Sequence, residues 1–92
     1  MAKVIITMKV MPESPDIDLG DLREQIERKI NSFAGKGEKR FKEDPIGFGL
    51  VALNVIFVMD EKGESTDKLE EELKKIDGIG SVEVIDMRRA LG

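Results

Sequence analysis

The amino-acid sequence predicts an α+β fold in which a four-stranded antiparallel sheet carries two helices on one face. In residues 3–10 and 50–59 every second side chain is apolar, as in strands with one buried face. Residues 19–33 and 69–76 repeat apolar side chains every three or four positions, as amphipathic helices do. The 92 residues are enough for one compact domain, which we expect to span residues 1–92.

The first strand and the first helix have the clearest patterns. The strand positions that fall on one face are Val4, Ile6, Met8 and Val10. Pro12 and Pro15 are expected to end this strand, because proline has no N–H for a ladder. Asp16 or Asp18 is then expected to cap a helix. Its inner stripe is Leu19, Leu22, Ile26, Ile30 and Phe33.

The middle of the chain is predicted to hold two strands that differ in burial. Gly35 ends the first helix, and the polar residues 36–44 are typical of a second strand at a sheet edge. Residues 45–49, with a proline and two glycines, are expected to form a bulge or loop. Residues 50–59 are the most apolar run and are therefore predicted to form a central third strand.

The last third of the chain completes the fold. Ser65 or Thr66 is expected to cap a second helix with Leu69, Leu73 and Ile76 as its inner stripe. Residues 81–86 are predicted to form a short fourth strand, and residues 87–92 a tail. Two β-α-β halves with right-handed crossovers then give a ferredoxin-like plait of order β-α-β-β-α-β.

The composition excludes several kinds of active site. There is no His, Cys, Trp or Tyr, so the chain offers no thiol nucleophile, disulfide, zinc cluster or imidazole base. The net charge of -4 argues against a direct nucleic-acid partner. No run approaches the roughly 20 apolar residues of a membrane-spanning helix. We therefore expect a cytoplasmic protein that has no cofactor or metal and does not bind a membrane.

Other proteins with this fold help to test the remaining chemistry. RNA-recognition domains stack bases on aromatics of the inner strands, and the first strand here has none. The acidic pairs Glu43-Asp44 and Asp60-Glu61 are expected by chance in a chain with 19 acidic residues. Phe48 either packs into its own core or is offered to a partner.

Three segments resemble the archaeal-type elongation factor 1-beta family: residues 11–16, 44–55 and 82–89. The Pro-Ile-Gly-Phe-Gly sequence at residues 45–49 is the most specific part, and the resemblance covers nearly the whole chain. It implies guanine-nucleotide exchange, GDP for GTP, on the GTPase elongation factor 1-alpha during protein synthesis. The alternative is a regulatory module that binds a small ligand or oligomerises through the second-strand edge or the open side of the sheet.

The resemblance also implies roles for particular residues. In the family the loop that docks on the GTPase corresponds here to Ile46, Gly47, Phe48 and Gly49. A lysine next to the C-terminus, which disturbs the magnesium site of the GTPase, corresponds to Arg89. Because arginine replaces lysine and three further residues follow, either Arg88 or Arg89 is expected to act.

Overall fold

A computed structural model describes residues 3–60 and 66–90 and confirms the predicted fold class. Its elements are β1 (Lys3–Pro12), α1 (Leu19–Ala34), β2 (Lys39–Gly47), β3 (Leu50–Asp60), α2 (Asp67–Lys74) and β4 (Ile79–Ala90). The four strands form one antiparallel sheet in the order β2-β3-β1-β4. This is the ferredoxin-like arrangement, with β1 and β3 in the centre.

The two helices pack on one face of the sheet because the apolar sides of strands and helices are buried together. Met8 of β1 lies opposite Val55 of β3, so the apolar sets of both strands point to the same side. Both side chains are fully buried. The helix residues that complete this core are Leu22, Ile26, Ile30, Leu69 and Leu73. The other face of the sheet carries no element among the described residues.

The helix ends agree with the prediction at α1 and differ from it at α2. Asp18 caps α1, since its Oδ1 accepts hydrogen bonds from the N–H groups of Gly20 and Asp21 at 2.9 and 3.2 Å. Thr66 precedes α2, but its side chain accepts no capping bond; its hydroxyl instead donates to Glu70 Oε2 at 3.2 Å. The alternative cap, Ser65, lies outside the described residues.

The second strand lies at the edge, as predicted, but its bounds differ. It begins at Lys39 rather than at residue 36 and continues through Pro45 to Gly47. Proline is tolerated there because an edge strand has a side on which no neighbour needs its N–H. The register shifts between Pro45 and Gly47, so the predicted bulge is present within the strand.

The fourth strand is much longer than predicted. It runs from Ile79 to Ala90 instead of residues 81–86, and the expected tail is therefore wrong as far as residue 90. The added length pairs with the beginning of β1, where Ala90 lies opposite Lys3. Within β4 the pairing steps from Val84 to Asp86, so that Ile85 is an extra, bulged residue.

Candidate functional site

A two-residue turn joins β2 to β3 and presents Phe48 at one end of the sheet. Phe48 and Gly49 have φ angles of +54° and +78°, and the preceding Gly47 has +126°. Positive φ at both central residues is the requirement of a type I′ hairpin turn, which Asn-Gly usually fills. A bulky residue rarely adopts this backbone, which costs about 1–2 kcal/mol relative to the right-handed region.

Phe48 receives no packing from the domain in return for that strain. Its exposed fraction is 101 %, so the reading in which it packs into its own core is wrong. Ile46, on the same hairpin, is 42 % exposed. The chain thus holds a large apolar side chain in a strained conformation and in full contact with solvent, which is typical of a residue that binds a partner.

The turn is supported by neighbouring loops at the same end of the sheet. A Cβ added to Gly49 would lie 3.4 Å from Cβ of Pro15, so the hairpin tip rests against the connection between β1 and α1. That connection is tied in turn to the one before β4, because Glu13 donates its backbone N–H to the carbonyl of Gly78 at 2.8 Å. The turn is therefore supported by the β1–α1 connection, which is itself tied to the connection before β4.

The two predicted arginines lie in β4, on opposite faces of the sheet. Arg88 is paired with Ile5, and Arg89 with Val4. Val4 packs against the core, so Arg89 lies on the helix side and Arg88 on the other side. The Arg88 side chain is 76 % exposed, and its Nε lies 3.0 Å from Oδ2 of Asp86.

The structure does not bring the arginines and Phe48 together. From Leu50, next to the turn, to Met59, in the row of Arg89, β3 makes nine steps, or about 30 Å at the usual rise per residue. The domain is correspondingly long, with extents of 42 × 21 × 19 Å. The predicted site is therefore two separate elements at opposite ends of the sheet.

The sheet face opposite the helices was not assigned a role from the sequence. We call it the open face. It is built from the outward residues of the central strands, Ile5, Thr7, Lys9, Asn54, Ile56 and Val58, with Arg40, Lys42, Asp86 and Arg88 at its edges. One feature of the sequence could have indicated this face. Residues 5, 56 and 58 are apolar although they lie between the core-facing positions of their strands.

Of the two acidic pairs, only Glu43-Asp44 lies wholly within the described residues. Among residues 3–60 and 66–90, no three acidic side chains are grouped as metal ligands would be. Asp60 forms an ion pair with Lys3 at 3.3 Å, and its neighbour Glu61 lies outside the described residues. Neither α1 nor α2 is both long and apolar enough to cross a membrane.

Comparisons with known proteins agree on one family. Residues 5–90 match the model of the EF-1 guanine nucleotide exchange domain. The chain is 44 % identical to elongation factor 1-beta of Methanothermobacter thermautotrophicus and 47 % identical to that of Methanosphaera stadtmanae, in each case over 99 % of this chain and all of the relative. It is 37 % identical to elongation factor 1-beta of Halorubrum lacusprofundi over 97 % of this chain and 99 % of the relative.

Proposed function

The chain belongs to the family of EF-1 guanine nucleotide exchange domains, and from this premise we propose that it binds the GTPase elongation factor 1-alpha in the cytoplasm through Phe48 and accelerates release of its GDP. The family consists of exchange factors and not of catalytic enzymes. The observation that carries the docking role is the strained, fully exposed Phe48. Ile46, Gly47 and Gly49 form the hairpin that presents it.

Phe48 has the properties of an anchor at a protein interface. An aromatic side chain buries about 150–250 Å² when it enters a pocket, and such residues dominate binding energies. The strained backbone of Phe48 is present before binding, and the turn is supported where Gly49 rests against Pro15. Less conformational freedom is therefore lost when the complex forms.

The exchange itself requires no acid, base or nucleophile. A factor that binds the nucleotide-free GTPase more tightly than the GDP-bound form weakens GDP binding by the same ratio. A thousandfold effect corresponds to about 4 kcal/mol of such preference. We assign part of this binding preference to Arg88 or Arg89. Its guanidinium group competes with the Mg²⁺ at the nucleotide phosphates of the GTPase, where that ion is the largest local charge.

The two elements can be tested separately with fluorescent GDP bound to elongation factor 1-alpha. Phe48→Ala is expected to weaken binding to the GTPase. The double variant Arg88→Ala/Arg89→Ala is expected to bind almost as well but to release GDP more slowly. Lys74→Ala/Lys75→Ala, on exposed positions of the helix layer, is the matched control because it removes the same amount of charge.

Each result bears on a different part of the proposal. Unchanged GDP release with the double arginine variant contradicts the electrostatic role. Unchanged affinity with Phe48→Ala contradicts the anchor. If the unmodified protein leaves the rate of GDP release where it was, the exchange function itself is wrong.

A further inference from the structure

We propose, on the basis of the function proposed above, that the GTPase covers the open face of the sheet and not the helix layer. The two elements assigned to binding and release lie about 30 Å apart, at opposite ends of the central strands. A partner that contacts both must extend along one side of the domain. The two sides differ in composition and in the position of Arg88.

The central strands of the open face carry an aliphatic patch where a solvated sheet face is normally polar, and Lys9 of β1 lies beside this patch. In an antiparallel sheet with one covered side, every second residue of a strand faces outward, and these outward residues are usually polar. Here Ile5, Ile56 and Val58 occupy outward positions of the two central strands and are only half-buried by their neighbours. Thr7, opposite Ile56, is uncharged as well. Interface centres are depleted of charged residues in the same way.

Charged side chains surround the aliphatic patch, and one of them, Lys9, lies on the central strand β1 opposite Glu83 of β4. Arg40 and Lys42 lie on β2, and Asp86 and Arg88 lie on β4. An apolar patch surrounded by charged residues is the usual anatomy of a protein interface, in which the charged rim stays partly in water. This arrangement favours a protein surface as the occupant.

The helix layer has the opposite character. The outward positions of α1 include Glu24, Glu27 and Arg28, all exposed. Long Lys, Glu and Arg side chains lose considerable rotamer freedom when they are buried at an interface, and Lys and Glu are depleted there. The apolar side chains within reach on this side, Phe33 and Leu69, lie in a pocket between α1 and α2 whose other lining residues include Lys29, Lys68 and Glu72.

The open face also has the required size and continuity. Four strands at about 4.8 Å spacing are about 20 Å wide, which over about 30 Å of length gives roughly 600 Å². Together with the aromatic of Phe48 this approaches the ~800 Å² per partner of a standard interface. Arg88 belongs to this face through its pairing with Ile5, so a partner that covers it meets Arg88 rather than Arg89.

The absence of cysteine from the sequence makes a direct footprint possible. Thr7→Cys places one thiol at the centre of the open face, and Glu27→Cys places one on the solvent side of α1. Each variant is reacted with a bulky maleimide with and without nucleotide-free GTPase. With the GTPase at about ten times its Kd, labelling of the Thr7→Cys thiol is expected to slow roughly tenfold. Labelling of the Glu27→Cys thiol is expected to proceed at the free rate.

The converse experiment uses protein that has been labelled beforehand. Comparing labelled with unlabelled Thr7→Cys protein removes any effect of the substitution itself. The label is expected to prevent acceleration of GDP release by Thr7→Cys protein and to leave that of Glu27→Cys protein intact. Circular dichroism of the labelled protein checks that the sheet is folded.

The outcomes separate this inference from the proposed function. Protection of the Glu27→Cys thiol alone, or of neither thiol while GDP release is still accelerated, overturns the open face as the binding surface and leaves exchange standing. If the unmodified protein neither binds the GTPase nor accelerates GDP release, the proposed function fails and the inference fails with it.

Discussion

Replacing Phe48 by asparagine should stabilise the free domain while it weakens the complex. The side chain is 101 % exposed, so its removal costs no core burial. Its φ of +54° is unfavourable for phenylalanine but suits asparagine, and Asn-Gly is the preferred pair for a type I′ turn. We expect unfolding to require about 1 kcal/mol more free energy. For a domain of this size that raises Tm by about 4–8 °C.

The effect on binding should have the opposite sign. Loss of an aromatic anchor typically costs about 2 kcal/mol or more, which weakens the Kd for the GTPase roughly 30-fold. Thermal unfolding followed by circular dichroism gives the first quantity, and titration with nucleotide-free GTPase gives the second. Phe48→Tyr is the control, because it keeps both the ring and the strain and should change neither quantity much.

A lower Tm for Phe48→Asn would show that the ring stabilises the domain, and the strain reasoning would then be refuted. A higher Tm with unchanged affinity for the GTPase would support the strain at Phe48 but contradict the role of Phe48 in docking. The two measurements therefore test separate steps of the reasoning, one in the free domain and one in the complex.

Three further substitutions test the scaffold by urea unfolding. Gly49→Ala should destabilise by about 1–2 kcal/mol, because the φ of +78° is unfavourable for alanine while its Cβ only touches Pro15; an unchanged midpoint would contradict the turn geometry. Asp18→Ala should cost about 1 kcal/mol through loss of two capping bonds, with Asp18→Asn as the conservative control. Phe57→Ala, at a position only 1 % exposed, should cost about 3–5 kcal/mol, and a smaller loss would mean that the core closes around the gap.

Elements with one strong hydrophobic period were predictable from the sequence. In β1 and α1 the apolar positions repeat at the spacing of the element, and burial against the partner layer is what selects that spacing. The edge strand β2 was located, but its predicted bounds were shifted. Its mostly polar sequence has no apolar alternation to mark where the strand begins and ends. Pro45 suggested that the strand ends before it, but an edge strand can include a proline.

The face of Arg88 was not predictable, because it depends on one bulged residue. Strict alternation from Val82 and Val84 puts Asp86 and Arg88 on the helix side. The extra residue Ile85 reverses the phase, and both charged side chains lie on the open face. No residue type in this part of β4 signals a bulge; only its pairing with β1 does.

The exposure of Phe48 was likewise left open by the sequence. Glycines on both sides indicate a turn, but whether its central side chain packs inward depends on which loops lie beside it in space. Those neighbours, Pro15 among them, come from distant parts of the chain. A local pattern therefore could not decide between a core aromatic and an exposed one.

The unbroken pairing of β1 with β3 has a consequence for where the conformational change of exchange takes place. These strands pair without a register shift over residues 3–10, from the row of Arg89 towards the Phe48 turn. A sheet of this kind keeps its two ends at a constant separation. Under the proposed function, the domain then binds best to the conformation of the GTPase whose two contact surfaces are about 30 Å apart, and binding shifts the population towards it. Under the same proposal, we expect the exchange factor to keep its shape and the movement that releases GDP to occur in the GTPase.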